Sequence, residues 1–226
     1  MQTNTGPSRR TRIAGRGLLV LLGVLVVAIL ALMWWWDKEP DYFDPVANAQ
    51  QRANARQQSV VIGTPTTAAL SQTILTMLDK RGGYLSNDKL PPGVLMDNIP
   101  NWEFGALTAS RDLTRALRNE FSRSQTQSVE DKDLQEAEPL LSSPSDRWLL
   151  PSSESQYRKA VGLIDSYAAR LADSNLSDAQ FYARADNLAD YLQVVSTRLG
   201  SLSQRLSASV GQVRIDTDLA NDPNAQ

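Results

Sequence analysis

Asp88, Asp97 and Glu103 lie within sixteen residues of one another, and Tyr84, Trp102 and Phe104 are threaded between and beside them. Two carboxylates beside aromatic platforms are what glycoside cleavage uses: one acid protonates the leaving oxygen, and the other attacks the sugar or activates water. Each acid also has a local use. Asp88 and Asp97 favour turns, and Glu103 stands where the first turn of a helix welcomes negative charge. Ser86-Asn87-Asp88-Lys89 matches the Ser-x-x-Lys pattern, in which a lysine follows a nucleophilic serine by one helical turn. Pro91 and Pro92 interrupt any such helix, and no Lys-Thr-Gly follows. Walker and Rossmann phosphate loops and a Gly-x-Ser-x-Gly elbow are also absent.

The composition narrows the chemistry further. The 226 residues include no histidine and no cysteine. Imidazole bases, Ser-His-Asp and Cys-His nucleophile systems, disulfides, iron–sulfur clusters and the usual nitrogen and sulfur ligands of zinc are therefore excluded. No metal and no cofactor is expected.

Residues 17–36, GLLVLLGVLVVAILALMWWW, run for 20 positions without a charge. At about 1.5 Å per residue such a helix spans the roughly 30 Å hydrocarbon core of a bilayer. Cleaved signal peptides have shorter apolar stretches that end in small residues, whereas this one ends in Met33, Trp34, Trp35 and Trp36. An uncleaved single-pass anchor is the expectation, with the tryptophans at headgroup depth. Arg9, Arg10, Arg12 and Arg16 precede the span, and Asp37, Glu39, Asp41 and Asp44 follow it. The positive-inside rule then puts residues 1–16 in the cytoplasm and everything after the span in the periplasm, as in a bacterial inner-membrane protein. With those four arginines set aside, 19 basic side chains face 25 acidic ones, a net charge of −6. That balance argues against nucleic acid or an anionic membrane surface as a partner, because both need a basic footprint.

The exported chain reads as helical. Residues 37–63 are polar and develop no wide apolar stripe, so a solvated stalk or linker is expected there, with Asp44-Pro45 as a cap and first-turn pair. Thr64-Pro65 repeats that signature. Leu70, Ile74, Met77 and Leu78 then predict a helix over 65–81, closed by Gly82 and Gly83. A proline-rich segment leads to a helix over 103–124 with Leu107, Leu113, Leu117 and Phe121 on one face. Residues 122–153 read as an ordered loop with a short helix near 131–138, docked by Trp148. Ser153 and Gln156 form a capping box for a helix over 154–172, and Ser177 with Gln180 caps a final one reaching about residue 208.

Phe181, Ala185, Leu188, Leu192, Val195, Leu199, Leu202 and Leu206 recur in the last helix at three- and four-residue spacing. Two in seven is the coiled-coil seam. Either the hairpin partner 154–172, with helices 65–81 and 103–124, covers it within one chain, or it pairs with another copy or a partner. The intramolecular bundle is the expectation. The polar tail 211–226 is expected to be disordered.

The runs GGYLSNDKLPPGVLMDNIPNWEFGAL (82–107), RSQTQS (123–128), AEPLL (137–141), WLLPSSESQYR (148–158), QFYARADNLADYL (180–192) and TRLGSLSQRLSASVG (197–211) resemble a family of proteobacterial membrane-anchored proteins catalogued as a domain of unknown function. The resemblance implies a single N-terminal span and an extracytoplasmic domain, and it carries no activity with it.

The expected architecture is thus all-α: one transmembrane helix, a polar stalk, and a helical periplasmic domain over 64–210 that ends in a long helical hairpin. The expected function is a non-enzymatic interaction or scaffold protein of the cell envelope, tied to the inner membrane and binding an envelope protein or itself. Tyr84, Trp102, Phe104, Val195, Leu199 and Leu202 are the expected partner-binding residues. Two alternatives stand beside it: a peptidoglycan- or glycan-acting enzyme or binder using Asp88, Asp97 and Glu103, and a regulator or assembly factor of an envelope machine.

Overall fold

A computed structural model describes residues 9–124, 129–173, 175 and 178–211. Its regular structure is helical, with no strand among the described residues. The helices are α1 (Arg9–Trp36), α2 (Pro45–Ala55), α3 (Thr64–Asp79), α4 (Asn98–Ala116), α5 (Lys132–Leu141), α6 (Ser153–Leu171) and α7 (Ala185–Gly211). A 3-10 turn, Gly93–Leu95, precedes α4, and a π turn, Leu117–Phe121, follows it. The chain divides into two compact units, Met1–Ala183 and Arg184–Gln226.

In the first unit α1 carries a 22-residue stretch, Gly15–Trp36, long and apolar enough to cross a membrane. The segment after it departs from the expected stalk, because α2 belongs to the folded domain. Asp44 caps α2 by accepting the N–H groups of Val46 and Ala47. Ala49 and Ala53, one helical turn apart, are buried. Two alanines make too narrow a stripe to announce a core helix, yet their lack of bulk brings the α2 backbone close to α3. Asn48 donates to the Ala68 carbonyl at 3.0 Å, and Gln58 donates to the Ala169 carbonyl of α6 at 2.9 Å.

α3, α4, α5 and α6 form the core. α3 buries Leu70, Ile74, Met77 and Leu78, and α6 buries Tyr157, Ala160, Val161, Ile164, Tyr167 and Ala168. α4 begins at Asn98, five residues before the expected start, because Pro100 falls in its first turn, where a missing N–H costs nothing. α5 is capped by Asp131, which accepts from the N–H groups of Asp133 and Leu134.

The connections run as an up-and-down bundle. Arg158 near the start of α6 reaches Asp79 at the end of α3. Arg118, just past the end of α4, reaches Glu130 just before α5, and Arg111, in the second half of α4, reaches Leu141 and Ser143 at the end of α5. Arg170 at the end of α6 reaches Asp133 at the start of α5. Lys80, just past α3, meets Glu103 in the first turns of α4, and Tyr157 near the start of α6 donates to the Ser143 carbonyl just past α5, so one end of the bundle gathers the end of α3, the start of α4, the end of α5 and the start of α6.

Other expectations are corrected. Ser152, not Ser153, caps α6, accepting from the Ser155 N–H. Ser153 instead ties the preceding loop, its Oγ meeting the carbonyls of Pro144 and Arg147. Trp148 does not dock that loop, since it is 60% exposed. The hydrogen bonds of Ser153, Tyr84 and Asn87 hold it instead. Gly63 rather than Thr64 is the N-cap of α3, at φ 93°, and Thr64 Oγ1 accepts the Val61 N–H. Phe181 lies in irregular chain before α7 and does not start the last helix. Its ring stacks on Phe121 at 5.1 Å, and the Tyr182 N–H donates to the Phe121 carbonyl at 2.7 Å.

The second unit is dominated by α7, 27 residues long and so about 40 Å at about 1.5 Å per residue. Leu188, Leu192, Leu199, Leu202 and Leu206 are 49–69% exposed. Ser177, in the expected capping box, and the tail after Gly211 lie outside the described residues.

Candidate functional site

The carboxylate cluster resolves into three different environments. In α4 Ile99, Glu103, Leu107, Ser110 and Thr114 are buried along one face of the helix. Glu103 thus points into the core, fully buried. Its counter-charge is Lys80, just past the end of α3, whose ammonium contacts the Glu103 carboxylate and also donates to the Gly83 carbonyl. The N–H groups of Leu85 and Ser86 donate to Glu103, each at 2.8 Å, and the Ser86 hydroxyl does so at 2.5 Å. A carboxylate offers about four lone-pair sites, and four donors fill them. Glu103 is arranged to hold the 80–88 segment, and it keeps no lone pair for a substrate proton.

Asp88 sits over Gly93, where an added Cβ would fall 1.8 Å from Asp88 Oδ2. Burial pushes its carboxyl up, the nearby Glu103 and Glu154 push it further, and Lys80 partly offsets them. Asp97 is exposed just before α4 and makes no side-chain cap. The Ser-x-x-Lys stretch is not helical, and its Lys89 is exposed.

The aromatic residues separate as well. Tyr84 is buried, with its ring edge-on to Tyr157 at 5.7 Å and its hydroxyl donating to the Ser145 carbonyl at 3.0 Å. Burial pushes its phenol well above the ordinary value. It is a core residue and offers no surface to a partner. Phe104 is exposed. Trp102 is half-buried and lines a shallow cavity with Asp37, Glu39, Asn98, Ile99 and Asn101. Of the α7 residues, Leu199 and Leu202 are exposed and Val195 is half-exposed. Trp34 and Trp35 are exposed at the end of α1, with the Lys38 ammonium 4.6 Å from the Trp34 ring centroid. Trp36 lies against Gly82.

Ionic clusters escaped the reading of the sequence, among them one in which Arg118 bridges Glu130 and Glu138. Arg170 is nearly buried, and its Nη2 donates to Asp131 at 2.8 Å and to Asp133 at 2.7 Å. Asp165 on α6 gathers Arg52 and Arg56 of the α2 region and accepts from the Ser71 hydroxyl at 2.9 Å. A signal for Glu103 was present, since it falls on the same face as Leu107. Partners 23 and more residues apart leave no local mark.

What remains accessible among the candidates is therefore the α7 seam, with Phe104 and Trp102, and not the carboxylates as a group. Comparison with curated proteins and with solved structures returns no match. The family model described as "Uncharacterized protein conserved in bacteria (DUF2333)" matches residues 9–226. The chain belongs to that bacterial family.

Proposed function

We propose that the protein is a membrane-anchored interaction protein of the bacterial envelope, with α1 in the inner membrane, its arginine-rich N-terminus in the cytoplasm, and the helical domain in the periplasm. α7 is the docking element. The observation that carries this reading is the exposed seam. Leu188, Leu192, Val195, Leu199, Leu202 and Leu206 keep strict three- and four-residue spacing, and the five leucines are 49–69% exposed. Monomeric proteins rarely leave so regular an apolar stripe in water, and a heptad seam is completed by another helix packing knobs into its holes. The polar residues flanking it, Gln193, Thr197, Arg198 and Arg205, suit the rim of such a pairing.

The saturated Glu103 supports a structural rather than a proton-transferring role for the carboxylate cluster. The test is the size of the assembly extracted from membranes in mild detergent. Leu199→Glu with Leu202→Glu is expected to shift it to the mass of the single chain. A native assembly already of single-chain mass, or one unchanged by the double substitution, would overturn the proposal.

A further inference from the structure

We infer that the end of the bundle beside the anchor carries a lipid-facing tip, formed by Leu90, Val94 and Leu95 from one loop and Trp148, Leu149 and Leu150 from another. This rests on α1 being a membrane anchor. All six side chains are exposed, Leu150 almost completely at 98%. Asn87 holds the two loops together, its Nδ2 donating to the Arg147 carbonyl at 2.8 Å and to Glu154 at 2.9 Å. Asp88 packed over Gly93 fixes the 3-10 turn that presents Val94 and Leu95.

The tip belongs to the end of the bundle where α1 arrives. Trp36, the last residue of α1, lies against Gly82, and Asp37 and Glu39 line a cavity with Asn98, Ile99, Asn101 and Trp102 at the start of α4. The loop bearing Leu90, Val94 and Leu95 runs from that glycine to that helix start. The tip is therefore continuous with the headgroup layer in which Trp34 and Trp35 rest.

Its chemistry suits a lipid surface. The side chains come from two loops, Leu90, Val94 and Leu95 from one and the consecutive run 148–150 from the other, and none lies on an α-helix, so they offer no helical stripe for a partner helix to follow. Trp and Leu are the residues that bury in the headgroup and acyl boundary. Nearby charges are mixed, with Lys89 and Arg147 against Asp97 and Asp146, so apolar burial rather than anionic lipid drives the docking.

The chain has no cysteine of its own, which permits single spin labels on the full chain in vesicles of phosphatidylethanolamine and phosphatidylglycerol. Labels at Leu95→Cys and Leu149→Cys are expected to relax severalfold more with oxygen than with a water-soluble nickel chelate. A label at Val129→Cys, exposed near the opposite end of the bundle, is expected to show the reverse. Water-like behaviour at 95 and 149, or protection from both reagents as a protein contact would give, overturns the lipid-facing tip. A label at Val24→Cys reads the anchor separately. Lipid-like at 24 with water-like at 95 and 149 removes the tip alone, and water-like at 24 removes the anchor reading with it.

Discussion

Lys80 and Glu103 form an ion pair closed off from water, with side chains 1% and 0% exposed, and the pair joins the end of α3 to the first turns of α4. Around it the backbone of Leu85 and Ser86 is pinned to the same carboxylate. Removing one partner strands a charge in the core, which costs about 3–5 kcal/mol. Glu103→Gln and Lys80→Met are each expected to destabilise the chain by that amount in urea unfolding followed by circular dichroism. The double variant is expected to cost clearly less than the two single losses combined. Strictly additive losses would mean that the two groups do not act as a pair.

Arg170 holds two acids, Asp131 and Asp133. Its own guanidinium loses by burial, and the hydrogen bonds and charges of Asp133 and Asp131 more than offset that. Arg170→Met leaves both carboxylates nearly buried without that counter-charge, at a cost of about 3–5 kcal/mol at neutral pH. Urea unfolding followed by circular dichroism is expected to show that loss, and an unchanged midpoint would contradict it.

Asp88 makes the stability of the native chain depend on pH. Its raised carboxyl binds a proton more tightly folded than unfolded. The stability this contributes is fully present below the ordinary carboxylate pKa and is lost as pH rises through the raised value. Asp88→Asn keeps the shape and removes the charge facing Glu103 and Glu154. It is expected to melt at or above the native temperature at neutral pH, with a flatter profile through the acid range. A variant that melts well below the native chain at neutral pH would show that the Asp88 charge is used.

Gly63 stands at φ 93°, and a Cβ there would fall 2.5 Å from the Phe181 ring. The left-handed backbone alone costs a non-glycine residue about 1–2 kcal/mol. Gly63→Ala is expected to lose about that much or more, and to displace Phe181 from Phe121. Hydrogen exchange at the Tyr182 amide, bonded to the Phe121 carbonyl, is expected to accelerate. Unchanged protection there would contradict the clamp.

These residues show how far the sequence reaches. The stripes Leu70-Ile74-Met77 and Tyr157-Val161-Ile164 made α3 and α6 legible, because large side chains at helical spacing must be buried together. α2 was hidden, since Ala49 and Ala53 pack by closeness rather than by bulk. Trp148 misled in the other direction, as an apolar side chain on a loop is not thereby buried. Asp88, Asp97 and Glu103 are close in sequence, but the helical register sends Glu103 inward and leaves Asp97 outside. Chain proximity therefore said little about a shared site. The span and the seam were legible because each is a long pattern in one element.

Partner docking on α7 is tested most directly by a photo-crosslinker placed in living cells at each position from 192 to 206 in turn. Seam docking predicts adducts to one partner, or to a second copy, that peak at 192, 195, 199, 202 and 206 and fall away at 193, 197, 201 and 204. Adducts of equal yield at every position, or none at all, would contradict it.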